Sequence, residues 1–237
     1  MKKKWVKVYN AWFDEKLSDE TTLISKIGTD GFTLWFHLMA RQDGRRDVPI
    51  QIRAIHRELG KIYSFKKNAT IRKVLLRLKS KKLIECEDLY DKTRPTDLIY
   101  IKVNEFFKKP ASKGFSPISV DLFFDYIEKW GHIAFTGYCY LYKNHNIEYG
   151  NQDCSNHGFA NPNENTIARV LGYRSRQCIA EHLKRIPKKI ITVEPQKPEY
   201  YINEFGEEDI RYYAHHYKVH PKYDSGNKYY IPFDEAS

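Results

Sequence analysis

The chain has 237 residues, enough for one large domain or two small ones that each bury a core, and two is the expectation from length. Its 40 Lys and Arg outnumber 30 Asp and Glu, and the net charge of +10 favours an acidic partner such as nucleic acid or an anionic membrane surface. An aromatic content of 15% with a mean hydropathy of -0.66 argues for a folded globule with a polar surface, and no run approaches the roughly 18 apolar residues that would span a bilayer.

The charge is uneven. Residues 41 to 113 carry 20 Lys and Arg against 9 Asp and Glu, whereas residues 114 to 237 carry 14 against 16. Cysteines stand at 86, 139, 154 and 178 without CxxC spacing, and "MKKKWVKVYNAWFDEK" lacks the apolar run that follows a signal peptide's basic start. A reduced, cytoplasmic protein is expected.

In chain order, "DGFTLWFHLMARQDG" (30–44) places Phe32, Leu34, Trp35, Leu38 and Met39 at the spacing of a buried helix. "PIQIRAIHRELGK" follows, with Pro49 in a first helical turn, Ile52, Ile55 and Leu59 as the apolar repeat, and Gly60 as the stop. "NATIRKVLLRLKSKKLIECE" (68–87) starts a third helix with Asn68 as N-cap and an inward stripe of Ile71, Val74, Leu75 and Leu78. "KLIECE" and "DLIYIKVNE" then read as two strands joined by the polar loop "DLYDKTRPTD". Three helices and a hairpin in this order describe a winged helix.

The order recurs about a hundred residues on. "WGHIAFTGYCYLYKN" is an aromatic-rich helix, "NENTIARVLGY" a short helix ending at Gly172, and "SRQCIAEHLKRI" a third helix begun by Ser175. "KKIITVEP" and "DIRYYAHHYKVH" supply two strands. "IHRELG" (55–60) matches "IARVLG" (167–172), each followed by a helix and then by "KKLIECE" or "KKIITVE". The expected fold class is therefore α+β, two tandem winged-helix domains spanning 1–108 and 118–237 with a linker at 109–117, where Pro, Gly and Ser cluster.

Through its aromatic first helix, its "LG"-terminated second helix and the run "LKSKKLIE" into a hairpin, the stretch 5–106 resembles the N-terminal winged-helix domain of replication initiators and DnaD-type replisome organisers of Gram-positive plasmids and phages. That resemblance implies origin DNA or replisome proteins as partners and a role in DNA replication or its control.

A winged helix lays its third helix in the major groove and its hairpin along the flanking backbone. With the apolar stripe inward, Ala69, Lys73, Leu76 and Ser80 point outward and Arg72 and Arg77 lie on the flanks. Arg72 and Arg77 are the expected base readers, because guanidinium bonds guanine or phosphate bidentately; Lys73 is a further expected contact, acting as a mobile point charge, and Thr70 reaches phosphate. Leu76 meets either a thymine methyl or another protein. Lys92 and Arg94 sit on the wing loop, and "MKKKWVK" reads as a basic arm or a solubilising terminus. In the second half Gln177 and Lys184 face outward and Arg174 and Arg176 stand near the start of the third helix, but Glu181 faces outward too, so protein binding or dimerisation competes with DNA there.

No phosphate-cradling GxxxxGK[ST] and no GxSxG elbow occur. His145, Cys154 and His157 lack a second close ligand pair, with Cys139 or Cys178 as distant additions, and strand alternation sends His215 and His216 to opposite faces. The expectation is a non-enzymatic protein with no cofactor or metal, binding duplex DNA, with replisome proteins or a second copy of the chain as further partners. A transcriptional regulator and a protein-interaction scaffold are the alternatives.

Overall fold

Strand β1 (Trp5–Tyr9) pairs antiparallel with β5 (Phe115–Ser119), so the two halves of the chain meet in a shared two-stranded sheet. The structure, a computed structural model, describes residues 5–14, 21–42, 47–104, 114–150, 160, 162–203, 207–211 and 215–220. Two expectations change at this sheet. Residues 5 to 7 are strand and not a basic arm, and residues 115 to 117 of the expected linker are strand as well; residues 109 to 113 lie outside the described residues. Val6 and Val8 fill the buried face, and that alternation is what selects a strand.

After the short helix α1 (Ala11–Asp14), α2 (Leu23–Arg41) begins earlier than the apolar periodicity suggests. Thr22 caps it, its side chain accepting from the Ser25 amide at 3.0 Å. Gly28 interrupts it at φ 74 and ψ 160, a conformation that costs glycine least. Beyond the kink, Phe32, Leu34, Trp35, Phe36, Leu38 and Met39 are all fully buried. A helix apolar all round is a central one.

Pro49 does not start the second helix. It lies in β2 (Asp47–Ile50), an edge strand of a three-stranded sheet ordered β2, β4 (Ile99–Val103), β3 (Ile84–Glu85), where proline's missing N–H is tolerated. Helix α3 (Ile52–Leu59) follows Gln51. In helix α4 (Asn68–Ser80) Lys67 occupies the N-cap position without a side-chain cap bond, and Asn68 is the first helical residue and not the N-cap. Ile71, Val74, Leu75 and Leu78 are buried as the periodicity requires, each stabilising by roughly 1.5–3 kcal/mol as an upper estimate. In β4, Ile99, Ile101 and Val103 face the core and Tyr100 and Lys102 face solvent, the mark of a sheet covered on one side.

The second half repeats the order. Helix α5 (Val120–Gly150) is kinked at Gly131, φ 74 and ψ 173. Helix α6 (Glu164–Leu171) is capped by Asn163, whose side chain accepts from the Thr166 amide at 2.8 Å, and closed by Gly172 in the left-handed region. Helix α7 (Arg176–Leu183) leads to β6 (Ile191–Glu194), which pairs with β9 (His216–Val219). "DIRYYAHHYKVH" is thus not one strand: β8 (Glu208–Arg211) pairs with β7 (Glu199–Ile202) in a separate hairpin inserted between β6 and β9. The fold is α+β with small sheets. One continuous apolar core holds residues of both halves, from Val6 to Val219.

Candidate nucleic-acid interface

Helix α4 presents Ala69, Lys73 and Ser80 to solvent, with Thr70, Arg72, Leu76 and Arg77 half-buried beside them. Arg72 is committed elsewhere: its Nη1 donates to the Thr93 carbonyl at 2.8 Å, and Lys79 Nζ donates to the Leu89 carbonyl at 2.9 Å. Both side chains brace the loop between β3 and β4. Within that loop Thr93 Oγ1 donates to the Asp88 carbonyl and accepts from the Tyr90 amide, each at 2.9 Å, and the Arg94 amide donates to Asp97 Oδ2 at 2.8 Å. From α3 the Arg53 amide donates to the Pro95 carbonyl at 2.9 Å, and the Gln51 side chain donates to the Thr96 carbonyl at 2.8 Å. A surface loop so fully bonded is a platform, and Lys92 and Arg94 stand exposed on it.

Arg77 also turns inward. Its Nη2 donates to Asp30 Oδ1 at 2.6 Å, tying α4 to the α2 kink, and its guanidinium lies 3.6 Å from the position a Cβ would take on Gly28. Leu76 is not a free outward contact either: it is partly buried and packs against the core. Of the α4 candidates, Lys73 is the exposed cation. Arg53, Lys66 and Lys67, none of them singled out by helical spacing, are exposed as well, and Tyr63 is 83% exposed with Lys66 Nζ 5.2 Å from its ring centre. The pair "KK" directly before Asn68 marks this cluster in the sequence.

In the second half Arg174, Arg176, Gln177 and Lys184 are exposed, and so is Glu181. Lys184 ends α7 at the rim of an apolar pocket lined by Leu183, Ile186, Ile191 and Tyr217. Burial pushes the Tyr217 phenol well above its ordinary pKa. The β7–β8 hairpin is different in character: Tyr200, Ile202 and Ile210 are exposed on it beside Glu199, Glu207 and Glu208. Register places Tyr200 opposite Ile210, and Ile202 two residues on from Tyr200, so the three share a face.

A polar joint connects the halves. Thr29 Oγ1 lies 2.8 Å from His132 Nδ1 and 2.7 Å from the Tyr173 hydroxyl, and Ser64 Oγ lies 2.6 Å from His132 Nε2. Burial, with Arg185 and His182 nearby, pushes His132 down to about 4 despite Asp30, so the imidazole is neutral. An assignment that satisfies every atom has Tyr173 donating to Thr29, Thr29 to Nδ1, and Nε2–H to Ser64. A second neutral histidine, His37, is held below its ordinary value by burial and donates to Glu58 at 2.6 Å. Burial raises the Glu58 pKa, but the hydrogen bonds from His37 and Arg41 outweigh it and bring the carboxyl down to about 2.

Cys154 and His157 lie outside the described residues, and His145 is buried. Among the described residues no group of three or more His, Cys, Asp or Glu is placed to hold a metal ion, and no helix is long and apolar enough to cross a membrane. His216 belongs to β9, where it faces Glu194 across the ladder. Lys7, expected in a basic arm, sits in β1 with its Nζ 4.6 Å from the Phe115 ring centre. Comparison with protein-family models, with curated proteins and with solved structures yields no match to this chain.

Proposed function

We propose that the first half is a winged helix that binds duplex DNA without catalysis, and that the protein acts in replication initiation or its control on a bacterial plasmid, phage or other mobile element. The observation that carries the DNA reading is the bracing of the β3–β4 loop by the helix beside it: Arg72 holds Thr93, and the exposed Lys92 and Arg94 flank that residue in the chain. Helix α4 then offers Lys73 and the Lys66–Lys67 entrance to the groove, while the loop offers its two cations to the flanking backbone. The excess of 20 Lys and Arg over 9 Asp and Glu in residues 41 to 113 supports the same reading. The assignment to replication rests on the resemblance of residues 5–106 alone.

The test is salt-dependent binding to a mixed-sequence duplex. Lys73→Ala/Lys92→Ala/Arg94→Ala removes three phosphate neutralisers, so the slope of log K against log salt should become shallower by about 3, at roughly 0.9 per contact. An unchanged slope in a normally folded variant sinks the assignment. Footprinting on the DNA that carries the gene separates the roles: repeated sites at an origin favour replication, and a site over a promoter favours transcriptional regulation.

The second reading is a protein-interaction scaffold, and the β7–β8 hairpin favours it for the second half. Its exposed Tyr200, Ile202 and Ile210 among carboxylates suit a protein surface better than a phosphate backbone.

A further inference from the structure

Strand β6 carries an apolar residue on its inward face that the fold leaves half open. Register pairs Val193 with Tyr217 and Ile191 with Val219, so the four side chains share one face; the other three are at most 5% exposed, whereas Val193 is 44% exposed. In the first half Cys86 stands at the place of Val193, by the match of "KKLIECE" to "KKIITVE", and it is buried. The turn that follows closes over it. Backbone groups of Asp88 and Leu89 hydrogen-bond the Cys86 thiol, the Leu89 side chain is buried, and Lys79 Nζ donates to the Leu89 carbonyl at 2.9 Å.

The second half lacks that cover. Pro195 and Gln196 stand where Asp88 and Leu89 do, so an amide donor is lost and a polar side chain replaces the apolar plug; Gln196 Nε2 turns back to donate to the Glu194 carbonyl at 3.4 Å. From there the chain runs out into the β7–β8 hairpin. What remains beside Val193 is a cavity of about 270 Å³ lined by Leu141, Leu183, Ile186, Ile191 and Tyr217. That is below the roughly 300–1,000 Å³ of sites for drug-sized ligands and suits a single large side chain. Exposed Lys184 and Lys188 border it. Lys184 follows the buried Leu183 as Lys79 follows the buried Leu78, yet among the described residues its Nζ has no hydrogen-bond or ion-pair partner. The strand edge is open too: Tyr217 exchanges both backbone bonds with Ala160 at 2.9 Å, so its ladder neighbour Val193 turns its amide and carbonyl to the opposite edge.

We propose that this pocket docks an acidic peptide segment of another protein, which lays one apolar side chain of leucine size or larger in the cavity, adds its backbone to the β6 edge at Val193 and sets its carboxylates at Lys184 and Lys188. The first half supplies the template. Its own plug reads "EDLYD" (87–91), a leucine among carboxylates, and the lysine that holds that leucine's carbonyl has its counterpart in Lys184. Charge points the same way, because two cations beside an apolar pocket favour an anionic partner and reject a basic one. The docking goes beyond the DNA reading and does not depend on it, and it uses other residues than the β7–β8 face.

Methyl NMR of the full chain reads the docking. The probe is a synthetic peptide of residues 85–92 with serine in place of Cys86, titrated at low salt. The expected result is saturable shifts at Leu183, Ile191 and Val193 while Ile202 and Ile210 stay in place. Leu89→Ala in the peptide, or Lys184→Glu/Lys188→Glu at exposed positions of the chain, should each weaken binding at least about tenfold. Equal binding by the Leu89→Ala peptide overturns the apolar anchor, and the absence of saturable shifts at millimolar peptide overturns the site. Shifts confined to Ile202 and Ile210 also overturn it and leave the β7–β8 hairpin as the protein-binding surface of the second half. A dimer of the chain that the peptide dissociates makes a second copy the occupant and overturns the separate partner. Each of these results leaves the DNA reading untouched.

Discussion

The Arg72 guanidinium donates to the Thr93 carbonyl at 2.8 Å, joining the helix that faces solvent through Lys73 to the loop that carries Lys92 and Arg94. Replacing Arg72 therefore removes a brace before it removes a charge. Arg72→Ala should lower stability by about 1–2 kcal/mol, the loss of a charged donor to a carbonyl on a buried residue. Arg72→Lys keeps the charge and loses the planar fork. Trypsin should cleave after Lys92 faster in both variants than in the parent; equal cleavage of parent and Arg72→Lys would mean that charge alone matters there.

Arg77 and Lys73 should respond in opposite ways. Arg77 pairs with Asp30 while remaining 37% exposed, so solvent screening limits the pair and Arg77→Ala should cost roughly 0.5–1 kcal/mol with little change in DNA affinity. Lys73→Ala should leave stability within about 0.5 kcal/mol of the parent and weaken DNA binding. Urea titration and binding isotherms on the two variants check both halves of the contrast.

Acid should destabilise the fold in two stages. His132, ordinarily near 6.5, is held at about 4 in the folded chain, so the unfolded chain binds the extra proton first. Its contribution is complete above pH 6.5 and is lost as pH falls toward 4, at most roughly 3 kcal/mol. His37, also lowered, acts in the same direction. Glu58, at about 2 against an ordinary 4.5, contributes above pH 4.5 and loses that contribution as pH falls toward 2. Urea midpoints measured from pH 7 to 4 should decline, and His132→Gln should flatten the decline.

The kink glycines should rank Gly28 above Gly131 in sensitivity. Both have φ 74, so alanine at either is strained by about 1–3 kcal/mol. Around Gly131 the nearest atom to a new Cβ is Arg185 Nη1 at 4.0 Å, and strain is the whole cost. At Gly28 the new Cβ would stand 2.6 Å from Asp30 Oδ1, whose shift would also disturb Arg77. Thermal denaturation of Gly28→Ala and Gly131→Ala gives the comparison.

Helices were legible wherever packing and periodicity agree. The stripe Ile71, Val74, Leu75 and Leu78 is buried as its spacing dictates, and Asn163, Gly172 and Ser175 bound their helices. Strands β1, β2 and β5 were not legible as strands. Pro49 reads locally as a helix start and Pro117 as a linker, and each becomes strand only through a partner, Tyr100 or Lys7, far away in the chain. The candidate site was legible by direction but not by engagement. A helical wheel puts Arg72 and Arg77 on the flanks of α4; that one is bound to Thr93 and the other to Asp30 depends on a loop and a kink that local spacing does not encode.

The β1–β5 ladder also sets an order of assembly on the ribosome. Trp5 waits for Ser119, and with synthesis at about 5–20 residues per second that wait is roughly 5 to 20 s. Throughout it Val6, Val8 and Tyr9, buried in the finished fold, belong to an unpaired apolar edge, the kind of surface on which nascent chains aggregate. Residues 5 to 9 are thus made before most of the core they join and secured after it, and the native state is completed by closure of a very long loop.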